Sequence, residues 1–207
     1  MYFLAHHVLS LHLADVVPSK PWLRKLLTCA YQLIDTFNVR DLSMFSWGLA
    51  KLGVMPPAAF LEAYVQRIEF MAGEFPPQEV ANTVWALACF NVRPSSVLLV
   101  QLFDATDKRL SSFKASELSQ MLWALADRHC VLDRQWVQEF LKVSFMRMTE
   151  FTPQGLANVM WALDRLHVEP PPVGLREFIG KQRIGNMFYL QFCSGWGVNF
   201  IQAYIKS

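Results

Sequence analysis

Apolar residues along this chain recur three and four positions apart: Leu42, Phe45, Leu49 and Leu52 with Ser46 among them, then Val80, Val84, Leu87 and Phe90, then Leu118, Met121, Leu122 and Leu125. This is the spacing of one helix face, and strand alternation does not fit it. Each series stops at "KLGVMPP", "CFNVRPSS", "RHCVLDR" or "RLHVEPPP". There Gly53 or Asn91 suits a left-handed cap, and prolines bar continuation. A second apolar series follows, with Phe60, Leu61, Tyr64, Val65 and Ile68 in one stretch and Leu98, Leu99, Leu102 and Phe103 in the next. Its helices are expected to start from capping residues such as Ser96 and Asp133. The pattern therefore predicts a unit of helix A, a tight turn and helix B.

The unit repeats. "SMFSWGLAKL" at 43–52, "ANTVWALACF" at 81–90, "SQMLWALADR" at 119–128 and "ANVMWALDRL" at 157–166 set Trp47, Trp85, Trp123 and Trp161 at a constant spacing of 38 residues. Phe37, Phe75, Phe113 and Phe151 keep the same period ten residues earlier. Helix-start signals follow that Phe: Asn38 in the first full unit and Thr152-Pro153 in the fourth. A fixed period of this length is the signature of a repeat architecture. The expected fold is all-α, an α-solenoid of about four and a half helix-turn-helix repeats. Leu9, Pro18 and Trp22 fit the same frame, so residues 1–36 read as a truncated first unit, with full units starting at 37, 75, 113 and 151 and the array running over 1–181. In residues 182–207, Tyr189 lands in the Phe column but Asn199 takes the tryptophan column and "WALA" is missing. This segment reads as a divergent C-terminal tail and not as a repeat.

Composition changes the picture only at the margins. Over half of the residues are apolar, so the chain can bury a core, yet Gln101, Asp104, Arg128 and similar residues break every run of membrane-spanning length. The chain reads as soluble, with no membrane partner. The opening "MYFLAHHVLSLHLADVV" lacks the marks of a secretory or organellar targeting peptide. A formal net charge of +2 neither demands nor excludes a polyanionic partner. Cys29, Cys89, Cys130 and Cys193 are scattered without a CxxC pair, which argues against zinc and against a disulfide framework; reduced, mostly buried thiols are expected. His6, His7, His12, His129 and His167 have no carboxylate or cysteine at metal-binding spacing. No phosphate loop, nucleophile elbow or carboxylate pair is recognisable, so the expectation is a protein that is not an enzyme and has no cofactor or metal.

The 38-residue period, "FTPQGLANVMWALDRLHVEPPP", and a proline run followed by a helix B carrying Trp22 or Trp136 together resemble octotricopeptide repeats. The resemblance spans about residues 1–180. It departs at Phe60, Leu98 and Gly174, which stand in the column of that second tryptophan, and where the proline run shrinks to Pro94 or is lost at Leu132-Asp133. What the resemblance implies is a right-handed solenoid that binds single-stranded RNA in chloroplasts or mitochondria, acting in processing, stability or translation of organellar transcripts. The FAST-kinase-like organellar RNA proteins have similar helical pairs.

On a helical wheel of about 100° per residue, Leu42, Phe45, Ser46, Leu49 and Leu52 share the face expected to pack on helix B. The opposite face carries Arg40, Met44, Trp47 and Lys51; Gln78, Asn82, Trp85 and Cys89; Ser116, Gln120, Trp123 and Asp127; and Gln154, Asn158, Trp161 and Arg165. An amide offers a donor and an acceptor to a base edge, and helical-repeat readers take about one base per repeat. Arg40, Met44, Lys51, Gln78, Asn82, Ser116, Gln120, Gln154, Asn158 and Arg165 are therefore the candidate RNA-contacting residues. The same amides could instead bond between neighbouring A helices in a ladder. For the tryptophans, a stacking platform and a packing residue look alike in sequence. The small columns beside them, Ser43, Ala81, Ser119 and Ala157 before and Gly48, Ala86, Ala124 and Ala162 after, favour packing between A helices. A protein-interaction scaffold on the same solenoid is the rival reading, and other proteins remain possible partners.

Overall fold

The computed structural model describes Val8, residues 18–107 and residues 110–168. Among these residues the regular structure is entirely helical. Eight α-helices follow one another: α1 (Lys20–Gln32), α2 (Val39–Lys51), α3 (Ala58–Met71), α4 (Pro77–Cys89), α5 (Ser96–Asp107), α6 (Ala115–Asp127), α7 (Arg134–Met146) and α8 (Pro153–Arg165). The A helices α2, α4, α6 and α8 each have 13 residues and occupy the same register of the 38-residue unit. The expected second helix of the fourth unit, with Gly174 in its column, and the tail 182–207 lie outside the described residues. The chain divides into two bodies, Met1–Ser112 and Phe113–Ser207, and the division falls on a repeat boundary.

Three of the A helices begin at a side chain that partners an N–H group at the helix start, while α4 starts on Pro76-Pro77 without such a bond. Asn38 Oδ1 accepts from Asp41 N at 2.9 Å while Asp41 Oδ2 accepts from Asn38 N at 3.3 Å, a reciprocal capping box. Thr152 Oγ1 accepts from Gly155 N at 3.1 Å, with Pro153 in the first turn. At α6 the Glu117 carboxylate reaches back to Lys114 N at 2.8 Å. Helix B of the second full unit is capped by Ser95, whose Oγ accepts from Leu98 N at 3.1 Å. This corrects the expected cap at Ser96, which is the first residue of α5. Asp133 caps α7 as expected, through Gln135 N and Trp136 N.

The A helices end in one recurring device. Gly53, Asn91, His129 and His167 all have positive φ, between 51° and 66°, and they stand 38 residues apart. In each case the next residue's N–H reaches the carbonyl five residues back, as Val54 does to Leu49 at 2.9 Å and Val168 to Leu163 at 2.9 Å. This is the Schellman arrangement, and it satisfies carbonyls that a helix end would otherwise leave open. The sequence identified Gly53 and Asn91 for this role. Histidine fills it in the third and fourth units against its steric preference.

The core repeats with the same regularity. Leu42, Phe45 and Leu49 of α2 are fully buried, as are Leu118, Met121 and Leu125 of α6. In the first body the core includes a hydrogen-bonded polar pair: Tyr64 of α3 is wholly buried, and its hydroxyl donates to the equally buried Ser46 Oγ at 2.6 Å. A short 3-10 turn, Ile34–Thr36, Ala72–Glu74, Leu110–Ser112 or Met148–Glu150, precedes each unit-opening Phe. An arginine then ties the start of a unit to its helix B. Arg67 donates through Nε and NH2 to Phe37 O at 3.3 and 3.1 Å, and Arg147 does the same to Phe113 O while also pairing with Glu150. Their separations from the phenylalanine, 30 and 34 residues, differ by about one helical turn, so a position inside helix B and the residue capping its C-terminus perform one task. The Arg147 hydrogen bonds hold the Glu150 carboxyl below its usual range.

Within each body consecutive A helices pack directly on each other, α2 on α4 and α6 on α8. The small columns permit it: Ser43, Ala81, Ala86, Ser119, Ala124 and Ala162 are all buried. A Cβ added at Gly155 of α8 would come 3.3 Å from Ser119 Oγ of α6.

Two measurements check this account. Nothing lies within 4 Å of a Cβ added at Gly53, so Gly53→Ala tests the backbone alone and is expected to lower unfolding stability by about 1 kcal/mol, whereas His167→Gly raises it by about 0.5–1 kcal/mol. Chemical denaturation followed by circular dichroism reads both signs, and a neutral Gly53→Ala would reject strain as the reason for the cap residues. Burial raises the Tyr64 phenol pKa above its ordinary value near 10. Deprotonation is therefore easier in the unfolded chain, so the contribution of neutral Tyr64 is complete below pH about 10 and falls as pH rises further. Stability above pH 10 is expected to decline less steeply in Tyr64→Phe than in the wild type. Parallel slopes would contradict this.

Candidate nucleic-acid interface

The stripe opposite the core face is where the sequence placed it. In the first body Arg40, Lys51 and Gln78 are exposed, while Met44, Trp47, Asn82 and Trp85 are half-buried. In the second body Ser116, Gln154 and Arg165 are exposed, and Gln120, Trp123, Asn158 and Trp161 are half-buried. The gradation follows from helix geometry. The residue near the N-terminus of each A helix points fully outward, and those one and two turns later lean toward the neighbouring A helix.

The tryptophans meet across that seam. Trp47 and Trp85 have ring centroids 6.4 Å apart with planes tilted by 46°, and Trp123 and Trp161 lie 6.1 Å apart at 29°. They do pack between A helices, as the small columns indicated. Their position on the polar stripe leaves part of each ring open to solvent. A cation from the same helix, one turn further on, lies over the rings. Lys51 Nζ is 5.2 Å from the Trp47 centroid and 4.6 Å from that of Trp85, and Arg165 Cζ is 5.2 Å from that of Trp161. Both cations sit in the last turn of their helix, where they also complement the helix dipole.

The amides divide. Gln154 Nε2 donates to Asn158 Oδ1 at 2.9 Å, along one helix and not across the seam. Asn158 thereby keeps its own NH2 for another partner, because the bond uses only its oxygen. Asn82 occupies the same column in the first body, next to Trp85. At the fourth position of the stripe the units differ. Lys51 and Arg165 are cationic, and Asp127 is held by Arg128, with Nε to Oδ2 at 3.0 Å. Cys89 in this column is exposed, as is Cys29, while Cys130 is buried. The expectation of mostly buried thiols is thus corrected for two of the three described cysteines: each lies on a helix face turned away from the core.

One partnership has no signature in the sequence. Arg165 NH2 lies 3.0 Å from His129 Nε2, which brings the turn after α6 to the end of α8. His129 and His167 share a turn column, but nothing in that spacing reveals a contact to an arginine 36 residues away. Among the described residues no group of three His, Cys, Asp or Glu could hold a metal ion, and no helix is long and apolar enough to cross a membrane. Away from the stripe, Tyr31, Ile34, Ala63, Gln66, Arg67 and Phe70 line an open groove of about 560 Å³ along α1 and α3.

These features define a helical-repeat protein whose A helices present amides, paired indoles and cations on one face. The family described as Tbc2 translation factor, N-terminal domain, matches residues 59–183, more than half of the chain, and the chain belongs to that family. No curated protein matches the chain.

Proposed function

We propose that the chain binds single-stranded RNA along the exposed stripe of its A helices and acts in the processing, stability or translation of organellar transcripts. The observation that carries this reading is the gathering, on one face of each body, of base-reading amides, aromatic rings and cations. Asn82, Gln120 and Asn158 supply donor and acceptor pairs suited to base edges, with Gln78, Gln154, Ser116 and Met44 beside them. Arg40, Lys51 and Arg165 supply charge for phosphates. The family's description as a translation factor domain supports the same direction. The resemblance to octotricopeptide repeats supports RNA as the ligand and a chloroplast or mitochondrion as the place. We read the chain as a binding protein and not as an enzyme, with no cofactor. At one base per repeat, four units read only about four nucleotides, so modest affinity is expected.

A second reading, a scaffold for other proteins, has one observation in its favour: Phe70 is 79% exposed and Tyr31 48% exposed along the groove on α1 and α3. That groove lies on helices B, away from the stripe, so a protein partner there would not compete with RNA.

The two kinds of RNA-facing residue predict different effects. Arg40→Ala or Lys51→Ala is expected to weaken every single-stranded sequence alike and to reduce the slope of log affinity against log salt by about 0.7 for each phosphate that is no longer neutralised. Asn82→Ala or Asn158→Ala should cost about 1–3 kcal/mol on the preferred sequence and little on others, by analogy with base-edge recognition in DNA readers. Fluorescence anisotropy with short RNAs at several salt concentrations measures both. Equal binding of duplex and single strand at low salt, or a uniform weakening in the asparagine variants, would remove this face from consideration as the reader.

A further inference from the structure

Two kinds of aromatic recur in this chain, and the structure treats them differently. Phe37, Phe75 and Phe113 are at most 1% exposed, as befits rings whose task is packing. The four A-helix tryptophans are only half-buried and lie on the polar stripe. They meet in pairs at 6.4 and 6.1 Å, and each side chain stays partly exposed beside that contact. In each body a cation four residues along the same helix lies over a ring, Lys51 above Trp47 and Trp85, and Arg165 above Trp161.

We propose that each tryptophan pair is a stacking platform for a nucleobase of a single strand, and that Lys51 and Arg165 are displaceable covers which move from ring to phosphate when the base arrives. The inference rests on the RNA-binding reading and adds to it a site and a contact that the amides do not make. Relative strengths favour the exchange. A cation over an exposed indole gains about two- to fivefold in an equilibrium constant, while stacking a base on an aromatic side chain gains about five- to 150-fold. The displaced cation keeps a partner, because a stacked nucleotide brings its phosphate to the rim of the ring, within reach of the long Lys or Arg stem. Every base has a π-face, so the platform accepts all four bases and leaves discrimination to the neighbouring amides. Asn82 and Asn158 each stand three residues before a platform tryptophan, on the same face of its helix, where an edge of the stacked base would meet them.

The test compares two probes on the full chain at one salt concentration: a 12-nucleotide oligoadenylate and a 12-residue abasic ribose-phosphate oligomer with the same number of phosphates. Oligoadenylate is expected to quench tryptophan emission and to bind about tenfold or more tighter than the abasic strand. Trp85→Leu and Trp161→Leu, checked for helical content, should erode that preference. Should the leucine variants fail to fold, Trp85→Phe and Trp161→Phe keep the packing, and the quench must diminish in them. If oligoadenylate binds with emission unchanged, or if both probes bind equally, the platform is wrong and the RNA-binding reading stands. If folded leucine variants keep the full preference, the platform is likewise wrong. If neither probe binds, the platform falls together with the function it rests on.

Discussion

The close approach of the two A helices within each body, α2 with α4 and α6 with α8, is the constraint on which the remaining features depend. It requires small side chains at the seam, and Ser43, Ala81, Ser119 and Ala124 supply them as buried residues. Once backbones approach this closely, a large residue beside the seam has to lie along it, and the indoles of Trp47 and Trp85 do so in mutual contact. The seam thus places, within each body, a pair of indoles at the boundary between core and solvent. It also accounts for the two-sided character of each A helix. Leu42, Phe45 and Leu49 turn inward to helix B, and the opposite stripe, packed only along the indole seam, carries polar and charged groups around it.

Much of this was legible because the sequence repeats without insertion. The helix starts at Asn38 and Thr152, the register of the A helices and the identity of the exposed stripe all followed from aligning one unit on the next. The 3-10 turns before each phenylalanine were not visible, since three residues are too few to show a period. Ser95 and Ser96 are equally good caps by residue type, and only the hydrogen bond to Leu98 N distinguishes them.

Side-chain partnerships were less accessible than backbone register. The spacing of Lys51 from Trp47 places both on one helix face, but its contact with Trp85 depends on how α4 lies beside α2. The Arg165 contact with His129 likewise joins two helices through a turn. The histidine caps show the converse. His129 and His167 adopt a left-handed backbone less readily than glycine does, yet the column they share with Gly53 dictates it. Here the periodic frame overrides the propensity of the residue.

Uniform length and register in the A helices also bear on how such a chain changes over generations. A duplication or deletion of 38 codons, begun at any point of a unit inside either body, returns the reading frame and rebuilds the same Ala/Ser seam, the same left-handed turn and the same indole contact. Recombination between units is therefore nearly silent for folding. Its main consequence falls on the residues of the outer stripe and their number, so an array can lengthen or reshuffle its recognition surface without having to discover a new core.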